Sequence, residues 1–222
     1  MLLGNRELKC DQCTVFFVLF TATVREDQST LSDQYYSTLQ PIVQRIEGFV
    51  DETPFADPSR ANGQLLLSRF NDEGAIARWR NSPTHLRIMR RARHDIFEDF
   101  RVTIGTDLPD ASAEADQDAR MIVVHQTPST EISSTDTEQA APASVMTDRQ
   151  LKASESFIGA SPALKVWRLK NKADVQHLET SLARVPNDSV YKIHVVREYS
   201  KNERKEAPVG IDEAETAAGK KA

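Results

Sequence analysis

The sequence predicts an α+β fold in which two halves of the same strand and helix order close around one core as a barrel-like sandwich. Over residues 14–105, strand-like apolar runs and helix-like apolar spacings follow one another in the order β-α-β-β-α-β. A weaker version of that order occupies residues 118–200, after a polar connection. The chain of 222 residues, 39% hydrophobic and 27% charged, is long enough to bury such a core without disulfide bonds or metal.

The first half opens with a strand and an amphipathic helix. The run from Val15 to Val24 is mostly apolar, which is typical of a buried strand. Between residues 29 and 46, apolar side chains recur every three or four positions, which predicts a helix. We expect Pro41 to bend or break this helix in its second half and Gly48 to cap its end.

Two strands follow the helix. The segments Phe49 to Phe55 and Leu65 to Phe70 have the composition of strands, and a polar turn at residues 57–63 separates them. Pro54 is expected to end the first of the two, because proline cannot donate a hydrogen bond to a neighbouring strand.

A helical pair and a last strand complete the first half. Asn71 or Asp72 caps a short helix, and Ser82 followed by Pro83 starts another. The sequence leaves open whether these are one bent helix or two in series. Phe100 to Ile104 alternates apolar with polar residues as a strand does. The order is that of a ferredoxin-like unit, an antiparallel sheet with its helices on one face, so the other face needs a cover.

The second half is predicted as a degenerate copy of the first. Residues 106–161 are acidic and rich in Ser, Thr and Ala, which predicts a loose connection that contains a strand at about 120–126. Residues 118–200 then form the covering sheet. Their further predicted elements are a short helix at 148–156, a strand at 163–169, a helix at 173–184 and a strand at 190–199. Residues 201–222 are charged and Ala-rich, and we expect a disordered tail there.

Charge and hydropathy argue against two classes of partner. The chain carries 28 Lys and Arg against 33 Asp and Glu, a net charge of -5, whereas a nucleic-acid binder usually has a basic surplus. No segment approaches the run of about 20 apolar residues that crosses a bilayer. We therefore expect a cytoplasmic protein that binds neither nucleic acid nor a membrane.

The two cysteines, Cys10 and Cys13, form a lone C-x-x-C motif. A structural zinc site needs four ligands, and no second cysteine pair or histidine pair follows at the spacing that would complete one. A redox dithiol usually opens a helix after a strand, whereas this motif precedes a strand. We predict no metal site and interpret the pair as small residues that lead into the first strand.

Several segments of the first half occur in the order and spacing of a known family. They are the step Gly48-Phe49-Val50 out of the first helix, the strand-to-helix junction Leu65 to Asp72, Trp79 with the turn Ser82 to His85, and the return at 97–103. In these segments residues 14–105 resemble the antibiotic biosynthesis monooxygenase family of the dimeric α+β barrel superfamily. With the second half as cover, the expected fold is a tandem pair of ferredoxin-like halves in an intrachain version of that barrel.

The resemblance also implies a function. Many members oxidise a reduced aromatic polyketide or a similar phenol with dioxygen as co-substrate and without metal, flavin or haem. Such a substrate, once deprotonated, is electron-rich enough to react with dioxygen itself. The protein then needs an apolar pocket, a base and groups that stabilise negative charge. We expect no bound cofactor and a small aromatic substrate as the partner.

Three residues are candidates for catalysis. Trp79 matches the tryptophan with which the family lines its pocket, and it is equally a core aromatic at helical spacing from Ile76. His85 is third in its helix, where free amides keep imidazole neutral and able to accept a proton, although a histidine satisfied by the helix end is the plainer interpretation. Arg101 matches an arginine that holds a substrate oxygen in the family, unless strand alternation turns it toward the opposite sheet.

Three more residues are candidates for substrate binding. Met89 follows His85 on the same apolar helix face, Ile76 lies one turn before Trp79, and Thr21 is a polar residue of the first strand. The arginines of this helix are interpreted as a solvated face rather than as an anion site; they are Arg87, Arg90, Arg91 and Arg93.

Two functions are compatible with the sequence. The first is a cofactor-independent monooxygenase of secondary metabolism. The second is a non-catalytic barrel, ligand-binding or stress-associated, whose pocket only binds, because the catalytic residues of this fold are few and weakly patterned. Association into a homodimer through sheet edges or helices also stays open.

Overall fold

The computed structural model describes residues 14–107, 120–127, 154–158, 163–169, 175, 178 and 189–208. The strands are β1 (Phe16–Val24), β2 (Phe49–Asp57), β3 (Gly63–Phe70), β4 (Phe97–Asp107), β5 (Met121–Thr127), β6 (Ser154–Ile158), β7 (Ala163–Leu169) and β8 (Ser189–Ser200). The helices are α1 (Ser29–Val43), α2 (Glu73–Arg80) and α3 (Pro83–Arg91). A 3-10 turn, Glu26–Gln28, precedes α1, and a π-helical turn, Ala92–Ile96, continues α3.

The strands of the described segments close into one barrel in the order β1-β3-β2-β6-β7-β5-β8-β4. Every neighbouring pair is antiparallel. The two halves repeat the same internal strand order, so the predicted fold class, tandem ferredoxin-like halves in one barrel, is confirmed. They join edge to edge, through the β4–β8 ladder from Arg101–Ser200 to Asp107–Ile193 and through the single pair Ala56–Ile158 between β2 and β6.

The interior of the barrel is a core shared by both halves. Phe17 and Leu19 of β1 point inward and belong to the same buried cluster as Val166 and Ile193 of the second half. Alternate residues of the same strands, such as Phe16 and Val18, point outward and pack against a second cluster beneath the helices. Strand alternation therefore divides the apolar residues of each strand between an inner core and an outer layer.

A polar cluster inside the barrel also links the halves. Thr103 of β4 is completely buried, and its hydroxyl donates a hydrogen bond of 2.6 Å to Glu198 of β8. The Arg168 guanidinium of β7 donates to the same carboxylate at 2.7 Å and lies 3.5 Å from Glu155 of β6. Charge-assisted hydrogen bonds thus connect β4, β7 and β8, and an ion pair adds β6 to the cluster.

The helical pair consists of two helices in series, each with its own cap. The Asp72 carboxylate accepts a hydrogen bond of 2.7 Å from the backbone N–H of Ala75 at the start of α2. The Ser82 hydroxyl accepts one of 3.4 Å from the N–H of His85, and Pro83 takes the first position of α3. Both are the residues that the sequence marked as caps, with Asp72 in preference to Asn71.

Helix α1 includes Pro41 and ends two residues after it, at Val43, earlier than the apolar spacing to residue 46 predicts. The expectation that Pro54 ends the next strand was wrong. Strand β2 continues through Pro54 to Asp57. Among the described residues, Ala56 is the one residue of β2 that pairs with β6 on the other edge, and Pro54 itself has no described partner there, so its missing N–H breaks no described ladder bond on that edge.

Two segments of the second half also differ from prediction. Ser154–Ile158 forms strand β6, where a short helix over 148–156 was expected, and residues 148–153 lie outside the described part. The tail expected to be disordered from residue 201 is ordered as far as residue 208. There the Lys201 ammonium donates 2.8 Å and 3.0 Å hydrogen bonds to the carbonyls of Phe97 and Glu98. Of the helix predicted at 173–184, only Val175 and Leu178 are described; both are helical and buried.

None of the helices in the described residues is both long and apolar enough to cross a membrane.

The cysteines Cys10 and Cys13 and most of the acidic connection fall outside the described residues.

Closure of the barrel requires glycine at position 105. A Cβ on Gly105 would lie 2.4 Å from the backbone oxygen of His194 and 2.4 Å from Cγ2 of Ile193. Both are atoms of β8 next to the point where the register of β4 and β8 shifts. We expect Gly105→Ala to lower the free energy of unfolding by about 1 to 3 kcal/mol, measured by urea denaturation, because overpacking must displace backbone.

The matched control is Gly74→Ala in α2. A Cβ there would lie 2.8 Å from the Asp72 oxygen that caps α2 and 3.2 Å from the Arg78 guanidinium, which are ends of side chains and not backbone. This variant should lose less unfolding free energy than Gly105→Ala, because its cost is limited to the cap and alanine is the better helix former. Equal losses in both variants would contradict a special role for Gly105 in closure.

Candidate functional site

A cavity of about 480 Å³ lies between the outer face of the first-half sheet and the helices. Its floor is formed by outward residues of neighbouring strands, among them Phe20, Leu66 and Val102, and its roof by α1 and α3. The outer layer is divided into two separate apolar clusters, one around Phe70 and one around Ile96, and the cavity borders both. This volume is within the usual range for small-molecule sites.

Trp79 and His85 form a stacked pair in the cavity wall. Their ring centroids are 4.1 Å apart and the ring planes differ by 15°. The residues come from the end of α2 and the start of α3, and the turn capped by Ser82 brings them together. The pair is therefore assembled within one short segment of chain.

The His85 ring is held in one protonation state. Its Nδ1 lies 3.3 Å from the backbone oxygen of Arg80. Because a carbonyl can only accept, this hydrogen bond requires the proton on Nδ1 and leaves Nε2 as an acceptor. Withdrawal from water lowers the pKa of His85 from 6.5 to about 4, although the hydrogen bonds to the backbone of Arg80 and Trp79 act in the opposite direction. The imidazole is thus neutral near pH 7.

Arginines surround this end of the cavity. Arg80, Arg90, Arg93 and Arg204 all line it. Burial raises the pKa of Tyr199, and the charges of Arg204, Arg80, Arg197 and Arg93 oppose that rise, so several guanidinium groups act on one hydroxyl. The prediction that the helix arginines form a solvated face was wrong for Arg90 and Arg93, while Arg87 and Arg91 are exposed.

Two of these arginines are not neutralised within the described part of the chain. Neither Arg80 nor Arg90 forms an ion pair with a described carboxylate, and the buried Nε of Arg90 has no hydrogen-bond partner. Arg197, by contrast, is paired with Glu73 at 2.7 Å. The end of the cavity beside His85 therefore carries positive charge that can stabilise an anion.

The second half of the chain contributes to this site. Val102 of β4 lies opposite Tyr199 of β8, and the tyrosine points outward into the first-half cavity. Arg204 follows β8 and lies with its guanidinium carbon 5.2 Å from the centre of the Tyr199 ring. Sequence reasoning missed both residues, because nothing local to positions 199 and 204 indicates which half they join.

Glu52 of β2 forms another polar cluster in the cavity wall. The Ser68 hydroxyl donates a hydrogen bond of 2.9 Å to its carboxylate, and the Tyr36 hydroxyl donates another. Burial raises the pKa of Glu52, and these two hydrogen bonds partly counter the rise. One signal of this cluster is visible in the sequence, since Ser68 is the single small polar residue in the segment Leu65 to Phe70.

The structure brings four of the six predicted site residues to the cavity. Trp79, His85, Ile76 and Met89 line it. Arg101 and Thr21 do not. Phe100 and Val102 face the cavity, so strand alternation turns Arg101 to the other side, where it is exposed, and Thr21 is buried toward the barrel interior.

No group of three or more His, Cys, Asp or Glu side chains with metal-binding geometry occurs among the described residues.

Comparison with known proteins identifies the first half. Residues 15–91 match the model of the antibiotic biosynthesis monooxygenase family, so the resemblance inferred from the sequence is confirmed for this range. The chain is 24% identical over 210 residues to a protein named jasmonate monooxygenase ABM of Pyricularia oryzae, covering 87% of this chain and 97% of that protein. These matches support a monooxygenase-like function.

Two solved structures are similar in fold. An aldoxime dehydratase matches with a TM-score of 0.50 and 10% identity, over 82% of this chain and 81% of its own. The protein PA3566 from Pseudomonas aeruginosa matches with a TM-score of 0.39 and 14% identity, over 43% of this chain and 96% of its own.

The depressed pKa of His85 predicts a pH-dependent loss of stability. Since the folded-state pKa lies below the unfolded value, the stabilisation is present above pH 6.5 and is lost as pH falls toward about 4. Between those values the wild type should lose about 3 kcal/mol more unfolding free energy than His85→Gln, measured by urea denaturation at several pH values.

The control is His94→Gln, which changes an exposed histidine in the neighbouring π-helical turn. It should keep the difference from the His85→Gln curve because His85 is unchanged in it. A His85→Gln curve that coincides with the wild type would show that burial does not hold His85 neutral.

Proposed function

We propose that the cavity catalyses oxidation of a small phenolic substrate, such as a reduced aromatic polyketide, by dioxygen without a bound cofactor. The observation that carries this proposal is the neutral His85, stacked on Trp79 beside unneutralised arginines, in an apolar cavity of the family-matched segment. An apolar cavity with few convergent polar groups is the kind of site that the reaction requires.

The first step is removal of a substrate proton. Nε2 of His85 accepts the proton as the substrate O–H or activated C–H bond breaks. With a conjugate acid of pKa about 4, His85 is a weak base, so the transfer depends on stabilising the anion that forms. Arg80 and Arg90, which line the same cavity, supply the positive charge for this.

The second step is reaction of that anion with dioxygen. For a substrate methylene, the carbanion bonds one oxygen atom and the other takes up a proton, which gives a hydroperoxide. Loss of the remaining C–H proton and cleavage of the O–O bond then leave a carbonyl and release water. The substrate is oxidised by four electrons and dioxygen is reduced by four, so no other reductant is consumed.

A second substrate class is a small carboxylic acid. The relative from Pyricularia oryzae is named for jasmonate, and the unneutralised Arg80 and Arg90 would suit a carboxylate as well as a phenolate. A third possibility is that the cavity only binds its ligand. The three alternatives differ in whether dioxygen is consumed and in which substrate causes its consumption.

The test is oxygen uptake by the purified chain in the presence of a chelator, with anthrone and with jasmonic acid as separate substrates. Uptake with anthrone, and one oxygen atom from isotope-labelled dioxygen in the product, is the expected result. Uptake only with jasmonic acid would replace the phenol by the carboxylic acid. Binding without uptake would make the protein a non-catalytic binder, and loss of activity on chelation would overturn the cofactor-free proposal.

His85→Ala is expected to lower the turnover of anthrone by about 100-fold, because it removes the proton acceptor. Circular dichroism and thermal melting check that the variant folds. His94→Ala, which lies outside the cavity lining, is the control and should keep wild-type turnover. Wild-type turnover in His85→Ala would remove the histidine from the mechanism.

Trp79→Ala is expected to weaken substrate binding more than turnover, with KM raised about tenfold, because the ring supplies apolar contact area. The side chain is only partly buried, so the loss of unfolding free energy should be below the roughly 3 to 5 kcal/mol of a fully buried tryptophan. Trp79→Phe should restore most of the binding. An unchanged KM in Trp79→Ala would place the substrate elsewhere.

A further inference from the structure

The cavity has a second polar end, far across the sheet from the first. Glu52 lies on β2, and Tyr199 lies on β8. The strands between them follow in the order β2-β3-β1-β4-β8. Four interstrand spacings amount to roughly 19 Å along the curved sheet, so the straight distance between the two residues is shorter. Both residues line the cavity, so its two polar groups face a ligand from opposite ends.

The strand register confirms that the two ends lie across the sheet rather than along a strand. Reading across the outer face, Pro54 pairs with Leu66, Leu66 with Phe20, Phe20 with Val102, and Val102 with Tyr199. The pair Glu52–Ser68 lies two residues along the strands from the pair Pro54–Leu66, and therefore on the same face of the sheet. Apolar side chains therefore occupy the space between the Glu52 end and the Tyr199 end.

The Glu52 end accepts hydrogen bonds, whereas the arginine end donates them. The Glu52 carboxylate receives hydrogen bonds from Ser68 and Tyr36, and a carboxylate offers about four acceptor positions. Within the described part of the chain, no Lys or Arg forms an ion pair with it. A buried carboxyl group without a counter-ion destabilises the fold, so hydrogen-bond donors from a ligand would offset that cost.

We propose that Glu52, with Tyr36 and Ser68, forms a second subsite that accepts a hydrogen bond from a hydroxyl group of the substrate. This deepens the proposed function and rests on it. The substrate is then an elongated molecule with an acidic oxygen at the arginine end, an apolar and aromatic middle, and a hydroxyl group at the Glu52 end. A fused-ring phenol with hydroxyl groups on both outer rings has this shape.

The test compares two unreactive ligands that differ by one hydroxyl group. One is an anthraquinone with a hydroxyl on one outer ring, and the other carries hydroxyls on both outer rings. Isothermal titration calorimetry with the full chain measures each Kd. The wild type should bind the second ligand at least about tenfold more tightly, because a hydrogen bond to a carboxylate is a charge-assisted one.

Glu52→Leu removes the acceptor while it keeps the wall filled. It should bind both ligands with equal Kd to within about twofold. The matched control is Glu47→Leu, the same substitution at an exposed glutamate that does not line the cavity. It should keep the tenfold preference. Thermal melting of all variants checks that each one is folded.

The outcomes separate this subsite from the proposed reaction. Equal binding of the two ligands by the wild type, or a preference that survives in Glu52→Leu, overturns the subsite even where anthrone is oxidised. A preference that Glu52→Leu abolishes supports the subsite even where no oxygen is consumed, in which case only the oxygenase proposal fails. Absence of binding heat for both ligands in the wild type overturns both.

Discussion

The shared interior of the barrel is the constraint on which the rest of the structure depends. Strand side chains alternate between two faces, so the inner face of the first half can be buried only by the second half. Leu19 and Leu67 of the first half meet Ile193 and Val195 of the second in one cluster. Because that side is filled, the helices and any ligand must share the outer face. The cavity consequently lies beneath α1 and α3 and not inside the barrel.

Barrel closure also brings distant groups into the cavity. The β4–β8 ladder places Tyr199 beside Val102, and Arg204 follows directly after β8. Gly105 permits the close approach of the two strands, and the buried link between Thr103 and Glu198 joins them from the inside. The second half thus serves as a cover for the core and as one wall of the site in the first half.

Burial acts on two ionisable groups of the cavity wall, His85 and Glu52, and changes their chemistry in different ways. It lowers the pKa of His85, which makes the ring a neutral acceptor, and it raises the pKa of Glu52, which disfavours the carboxylate. The two groups lie at different ends of an apolar space. A largely apolar cavity with arginines at one end and an acceptor at the other favours a ligand with matching polarity along its length.

The sequence by itself determined the order of strands and helices in the first half, the caps Asp72 and Ser82, and the proximity of Trp79 and His85, because each depends on residues a few positions apart. The tertiary structure decided those features that depend on which strands are neighbours. Pro54 could remain in a strand because it has no described partner on the second edge of β2, and Arg101 faces away from the cavity because of its place in the alternation of β4. Glu52 and Tyr199 joined the site only through the register of strands far apart in the chain, which local pattern does not encode.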